Sequence, residues 1–131
     1  MANYYVGDIE HDAKTDGYRG WVVGSFLPKD WVRKVDEVEI LYWSFPPGKI
    51  NHPTKISSIV EVTIILEGSI AGDIDNIPLV LKKGQYIVIK PGTINNIAQN
   101  ALVDVVGITI KAPSDTTAKK VIDKVYKRVN L

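Results

Sequence analysis

The sequence predicts an all-β domain followed by an amphipathic helix, and two observations carry this prediction. The chain of 131 residues contains 17 Ile and 16 Val against 7 Leu, and branching at Cβ favours strands over helices. Short apolar runs alternate with turn signals at intervals of about ten residues, a pattern typical of a β-sandwich or barrel. We therefore expect a single domain with a β core.

The amino-terminal segment, 1–36, is less regular than the rest of the chain. A run at 21–26 predicts a strand, and Asp16-Gly17 and Pro28-Lys29-Asp30 predict turns. We expect this segment to form an arm or edge strands beside the main barrel.

The central segment, 37–112, holds the predicted barrel. Its turn signals include Pro46-Pro47-Gly48, Glu67-Gly68 and Pro91-Gly92, which separate the apolar runs. The strands are predicted within 37–45, 49–57, 59–73, 77–82, 86–90, 93–99 and 102–112.

The carboxy-terminal segment, 113–131, changes period and predicts an amphipathic α-helix. Ser114 is placed to cap it. The apolar residues at helical spacing are Ala118, Val121, Ile122, Val125, Tyr126 and Val129. We expect this helix to pack across the barrel or on a neighbouring subunit; its basic opposite face leaves a membrane surface as the alternative.

Composition excludes several functions. The 16 Lys and Arg balance the 15 Asp and Glu, so no general positive field favours nucleic acid or an anionic membrane. The absence of cysteine excludes disulfides, thiolate nucleophiles and Cys-ligated metals. The first ten residues lack a basic segment followed by an apolar run. We expect a cytoplasmic protein without nucleic-acid or membrane partners.

The spacing of four glycines and one glutamate resembles the cupin family. Its first motif, G-x5-H-x-H-x4-E-x6-G, begins at Gly48 and ends at Gly68, with Thr54 and Ile56 at the histidine positions and Glu61 at the glutamate. Its second, G-x5-P-x-G-x2-H-x3-N, begins at Gly84 and matches Gly92. Lys90, Asn95 and Gln99 stand where that motif has proline, histidine and asparagine.

The resemblance implies a double-stranded β-helix, a jelly-roll barrel open at one end and usually paired into dimers. In the enzymes of the family, three histidines and the glutamate hold a divalent metal inside the mouth. Thr54, Ile56 and Asn95 replace those histidines here, and a single carboxylate does not hold iron or zinc. We expect a barrel with no metal and no cofactor; the alternative is a metal held by His52 with Glu61.

Glu61 is the strongest single indication of a site. Alternation places Glu61, Thr63 and Ile65 on one strand face, which lines the barrel if the resemblance holds. Either a ligand or an internal hydrogen bond must satisfy this carboxylate. The opposite face, formed by Val60, Val62, Ile64 and Leu66, requires a cover, and we expect a homodimer.

A pocket for a small polar molecule follows from these placements. The predicted ligand-binding residues are Glu61, Asn95, Thr54, Thr63, Trp43 and Tyr86. Trp43 and Phe45 have the alternative role of packing in the core. The function expected is non-catalytic binding or sensing of a sugar, nucleotide or carboxylate. The alternatives are an enzyme, either a metal-dependent oxygenase or isomerase using His52 and Glu61 or a metal-free sugar-type epimerase, and a purely structural dimerisation module.

Overall fold

The computed structural model describes residues 3–122, which form eleven strands and one short helix. The helix α1 is Ile9–Thr15. The strands are β1 (Trp21–Val23), β2 (Glu39–Phe45), β3 (Gly48–Lys49), β4 (Lys55–Ser57), β5 (Val60–Glu67), β6 (Ser69–Ile74), β7 (Ile77–Lys82), β8 (Tyr86–Ile89), β9 (Asn95–Ala101), β10 (Val105–Ala112) and β11 (Lys119–Val121). The predicted all-β class is confirmed.

The strands form two antiparallel sheets. One sheet has the order β1-β2-β10-β5-β8, and the other has the order β11-β4-β9-β6-β7, with β3 also paired to β9. Strands distant in sequence are therefore neighbours, as in a jelly roll. Between the sheets lies an apolar core, whose buried members are Ile50, Ile65, Ile70, Leu81, Ala101 and Val105.

The predicted alternation along β5 is confirmed. Glu61, Thr63 and Ile65 are buried, whereas Val60 and Leu66 on the other face retain accessible surface. Because successive side chains point to opposite faces of a strand, the polar pair Glu61 and Thr63 enters the barrel together.

The helix predicted within 113–131 does not form over the described part of that segment. Residues Lys119–Val121 instead extend β4 as strand β11, with Lys119 opposite Ser57 and Val121 opposite Lys55. Pairing with the open edge of β4 supplies backbone hydrogen bonds that outweigh the local helical periodicity. The remaining predicted helix residues, Val125, Tyr126 and Val129, lie outside the described residues.

Ser114 has a different role from the predicted helix cap. Its hydroxyl is hydrogen-bonded to Ser25 Oγ at 2.9 Å and to Glu39 Oε1 at 3.2 Å, and it accepts a hydrogen bond from the Ser25 amide. These bonds attach the chain after β10 to the amino-terminal segment.

The amino-terminal segment contains the expected strand, β1, and a helix that was not expected. Asp8 caps α1 by accepting a hydrogen bond from the His11 amide at 2.9 Å. Arg33 then holds the segment together, since it donates to Asp16, Trp21 and Val22. No helix within residues 3–122 is long and apolar enough to cross a membrane.

Candidate functional site

A buried ion pair lines the barrel cavity. Lys55 Nζ on β4 donates to Glu61 Oε1 on β5 at 2.5 Å. Lys55 is only 6% exposed and Glu61 only 2%. The donor that satisfies the predicted buried carboxylate is therefore the ammonium group of Lys55, a residue that was not among the predicted site residues.

Two further lysines line the same cavity. Lys111 lies opposite Glu61 in the β5–β10 register, and its Nζ is 3.9 Å from Glu61 Oε1. Lys119 on β11 also lines the cavity and remains exposed. In their charged forms, three lysines face one glutamate, so the lining carries an excess of positive charge.

The surroundings lower the pKa of two basic groups. Burial is the main cause of the lowered pKa of Lys55, and the positive charge of Lys111 adds to it, while Glu61 opposes both. His52 retains an exposed surface at the rim. Partial burial of its imidazole is nevertheless the main cause of its lowered pKa, and the positive charges of Lys55 and Lys119 lower this pKa further. At neutral pH, His52 is therefore neutral.

Two asparagine oxygens add unpaired acceptors to the lining. Asn95, 1% exposed, lies opposite Lys55 in the β4–β9 pairing. Its Nδ2 donates to the Thr93 carbonyl, and the Nδ2 of Asn96 donates to the His52 carbonyl. The Oδ1 atoms of Asn95 and Asn96 accept no hydrogen bond within residues 3–122. Because buried polar atoms are normally paired, these oxygens are candidate contacts for a ligand.

One wall of the cavity is a hydrogen-bonded row on β2, β10 and β5. Trp43 Nε1 donates to Thr109 Oγ1 at 3.0 Å, and that hydroxyl is 2.9 Å from Thr63 Oγ1. Gly107 makes room for the indole, since a Cβ there would overlap the Trp43 ring. Trp43 and Phe45 both pack against the core and line the cavity, so the two roles considered from the sequence coincide.

The cavity has a volume of about 190 Å³. Its lining residues are Trp21, Leu41, Trp43, Phe45, His52, Lys55, Glu61, Thr63, Asn95, Asn96, Ile97, Ala98, Thr109, Lys111 and Lys119. This volume is below the roughly 300–1,000 Å³ of pockets that take drug-sized ligands. The space suits a small metabolite.

Four of the six predicted ligand-binding residues, Glu61, Asn95, Thr63 and Trp43, line the cavity. Thr54 is buried but is not part of the lining; Lys55 points inward instead, because a shift of one residue exchanges the two strand faces. Tyr86 is 67% exposed and lies opposite Ile64, so strand pairing places it on the outer face of the sheet. Thr54 and Tyr86 therefore lie outside the lining of this cavity.

The residues present do not fit the metal that the resemblance to the cupin family implies. Thr54 and Ile56, at the histidine positions of the motif, are absent from the cavity lining. Glu61 is already paired with an ammonium group. Within residues 3–122, no three His, Asp or Glu side chains are grouped so that they could hold a metal ion. Tightly bound transition metals take three or four ligands, so His52 with Glu61 does not provide a metal centre.

A second cavity, of about 310 Å³, lies between α1 and β1. Its cationic side chain, Arg33, forms an ion pair with Asp16 at 3.0 Å and donates to two backbone carbonyls, and its guanidinium also packs over Tyr5 and Trp31. Although this cavity is larger, its lining holds two carboxylates, Asp12 and Asp16, beside this guanidinium, and both already have partners within the amino-terminal segment. The barrel cavity, with its uncompensated lysines, is the better candidate site.

Comparison with known proteins gives matches among solved structures only. No protein-family model matches the chain, and no curated protein matches it significantly. An RmlC-like cupin from Methanocaldococcus jannaschii is 20% identical, with a TM-score of 0.61 and all of both chains covered. A protein from Klebsiella pneumoniae with a double-stranded β-helix domain is 14% identical, with a TM-score of 0.64, and the match covers 92% of this chain and 99% of that one.

Larger enzymes share the fold over part of their length. A salicylate 1,2-dioxygenase from Pseudoaminobacter salicylatoxidans, in complex with gentisate, is 13% identical with a TM-score of 0.58. The match covers 69% of this chain and 25% of the dioxygenase. Likeness at these identities identifies architecture rather than activity. The chain thus has the double-stranded β-helix fold of the RmlC-like cupins.

Proposed function

We propose that the barrel cavity binds a small organic acid without a metal ion. The observation that carries this proposal is the convergence of Lys55, Lys111 and Lys119 on a cavity whose lining has one acidic side chain, Glu61. A ligand carboxylate supplies the missing negative charge, and charge-assisted hydrogen bonds from lysine ammonium groups are stronger than neutral ones.

The arrangement of the lysines assigns different roles to them. Lys55 is already paired with Glu61 at 2.5 Å. Lys111 is 3.9 Å from the same oxygen, and Lys119 lies nearer the solvent. The ligand carboxylate is therefore expected between Lys111 and Lys119, while the Asn95 and Asn96 oxygens accept hydrogen bonds from its hydroxyl or other donor groups.

Charge and size together favour an acid over the other predicted ligand classes. A neutral sugar leaves the excess lysine charge uncompensated. A nucleotide exceeds a cavity of about 190 Å³, which is smaller than the roughly 300–1,000 Å³ of pockets that take drug-sized ligands. We expect a ligand with few heavy atoms and one or two carboxylate groups.

A thermal-shift comparison tests this proposal. Lactate, pyruvate and succinate are compared with glucose and AMP at constant ionic strength. A ligand present at 100 times its dissociation constant adds about 2.7 kcal/mol of stability, which raises the melting temperature by several degrees. Stabilisation by at least one acid and by neither control supports an acid site, whereas stabilisation by glucose or AMP alone contradicts it.

Two adjacent lysines provide a matched pair of variants. Lys119 lines the cavity, whereas its neighbour Lys120 is exposed and is not part of the lining. Both changes, Lys119→Gln and Lys120→Gln, remove one charge from the same strand. Only the first is expected to weaken acid binding, by about tenfold for a loss of roughly 1.4 kcal/mol. Equal losses in both variants would indicate general electrostatic attraction instead of a site.

A metal-free epimerase is the second candidate function, favoured by one observation. His52, whose lowered pKa keeps it neutral at pH 7, lines the same cavity as Glu61 and can accept a proton. Exchange of the Cα proton of lactate with deuterated solvent tests this candidate. Exchange that is lost in His52→Gln would support it, and no exchange above the uncatalysed rate would exclude it for this acid.

A further inference from the structure

Lys55 is unusual because its amine is buried inside a ligand-sized cavity. Lysine is almost never fully buried unless it is paired, and a buried ion pair often contributes less stability than apolar residues of similar volume. Within residues 3–122, Lys55 is the only lysine with less than a tenth of its surface exposed. This placement raises the question of what chemistry the amine provides.

The surroundings of Lys55 are those of a nucleophilic amine. Burial and the charge of Lys111 on β10 lower its pKa, and a lysine is activated as a nucleophile by desolvation or by a nearby cation. Glu61 on β5 lies within hydrogen-bond distance and can take the ammonium proton. The other charged or titratable groups facing the amine are Lys119 on β11 and His52 before β4.

We infer that Lys55 forms an imine with the carbonyl carbon of a small 2-oxo acid held in the cavity. This inference rests on the acid site proposed above and adds a covalent step to it. The carboxylate of the acid is held between Lys111 and Lys119, and its adjacent carbonyl group meets the Lys55 amine.

The Lys55–Glu61 pair supplies the proton transfers that imine formation requires. Glu61 first takes a proton from the ammonium group, and the free amine adds to the carbonyl carbon, so a C–N bond forms while the C=O π bond breaks. Proton transfer from nitrogen to oxygen gives a carbinolamine. Glu61 then returns its proton to the carbinolamine hydroxyl, the C–O bond breaks, and water leaves. The product is a protonated imine on Lys55 and an ionised Glu61, with no oxidant or reductant required.

The unpaired oxygen of Asn95 complements this step. Asn95 lies opposite Lys55 in the strand register, and its Oδ1 accepts no hydrogen bond within the described part of the chain. A 2-oxo acid offers no hydrogen-bond donor to this oxygen, whereas the carbinolamine hydroxyl does. Asn95 is therefore expected to favour the carbinolamine over the free carbonyl compound.

Reductive trapping tests the inference on the wild-type protein. The full chain is incubated with pyruvate at pH 7.5, treated with sodium cyanoborohydride, digested and mapped by mass spectrometry. We expect a single reduced pyruvate adduct on Lys55, in higher yield than on any exposed lysine. An adduct spread over exposed lysines with none at Lys55, or no adduct at all, would overturn the inference.

Lactate separates this inference from the proposed acid site, because it carries the carboxylate without the carbonyl group. Lactate binding without pyruvate trapping at Lys55 refutes the imine and leaves the acid site intact. Absence of both lactate and pyruvate binding refutes the acid site as well. Lys55→Arg keeps the positive charge but is expected to abolish the adduct, whereas Lys120→Arg is expected to leave it unchanged.

Discussion

At the scale of single residues, the stability of the barrel wall depends on the Lys55–Glu61 pair. Both side chains are buried, and removal of one partner leaves the other charge without compensation. We expect Glu61→Gln to lower the free energy of unfolding by about 3 kcal/mol, measured by urea denaturation. The double variant Lys55→Met with Glu61→Gln should recover part of this loss. A Glu61→Gln variant as stable as the wild type would show that the pair is not buried as described.

The stability of the folded protein is expected to depend on pH through His52. Its folded-state pKa lies below its ordinary value of about 6.5, mainly because of burial and then because of Lys55 and Lys119. Between the folded pKa and about 6.5, the unfolded state binds the proton and the folded state does not, so stability falls as the pH falls through that window. Melting temperatures at pH 7.5 and 5.5 should therefore differ less in His52→Gln than in the wild type.

The exposed His11 in α1 provides the control for this pH effect. His11→Gln should leave the acid-dependent loss of stability unchanged. An equal response in both histidine variants would mean that the cavity does not cause the effect.

Some residues of the site could be predicted from the sequence because the signals that identify them are local. Glu61 and Thr63 were found because strand alternation is local and the neighbouring positions are apolar. Lys111 and Lys119 could not be found this way, since they reach the cavity through pairing with strands about fifty or more residues away in the sequence. Lys55 was missed because the motif spacing selects Thr54 and Ile56. The signal that could have identified it is the position of this lysine between those two residues, six residues before a buried glutamate.

At the scale of elements, the turn between β5 and β6 has a strict requirement for glycine. Gly68 has φ +75°, and a Cβ there would overlap the carbonyl oxygen of Asp104. Gly84 also has a positive φ, +83°, but nothing lies within 4 Å of its Cβ position. These glycines were placed correctly from the motif, because a left-handed turn leaves a local signature in sequence.

The two glycines make a direct comparison possible. Gly84→Ala should cost about 1 kcal/mol from backbone strain alone, and Gly68→Ala should cost clearly more because the backbone near Asp104 must also move. Urea denaturation of both variants measures the difference. Equal costs would contradict the close approach described at Gly68.

Strand β11 illustrates an element that local pattern does not predict. Its apolar spacing is helical, but the edge of β4 offers hydrogen-bond partners that only the folded structure brings close. Lys120 lies opposite Ile56 and outside the cavity. Lys120→Pro should remove one ladder hydrogen bond, at a cost of about 1 kcal/mol, and release Lys119 from the rim.

Hydrogen exchange and binding together test the role of β11. In Lys120→Pro, amide exchange in β4 should accelerate, and the affinity for the best acid should fall as it does in Lys119→Gln. Unchanged exchange and unchanged affinity would show that β11 neither protects β4 nor positions Lys119.

At the scale of the whole molecule, one sheet presents an apolar outer face. Strand register places Val62, Ile64 and Ile110 on this face together with Val88 and Tyr86 at the edge strand β8, and the last two are more than half exposed. Contiguous apolar patches of this kind are uncommon on monomers. A homodimer through this face stays a prediction from the sequence, and the exposed edge is where it can be tested.

Light scattering during size-exclusion chromatography measures this assembly. We expect a dimer for the wild type and a shift towards monomer for Val88→Asp, because a charge would be buried in the interface. Ile77→Asp, at a position that is 63% exposed on β7 of the other sheet, is the control and should remain dimeric. A wild-type monomer at high micromolar concentration would contradict the expectation.

We propose that lysines, and not a metal ion, make the barrel cavity a site for small acids. Isothermal titration of the chelator-treated protein with lactate and with pyruvate addresses it most directly, combined with elemental analysis of the same sample. We predict saturable binding that is undiminished by removal of metal and weakened in Lys119→Gln. Binding that disappears with the chelator and returns on addition of ferrous or zinc ions would contradict the claim.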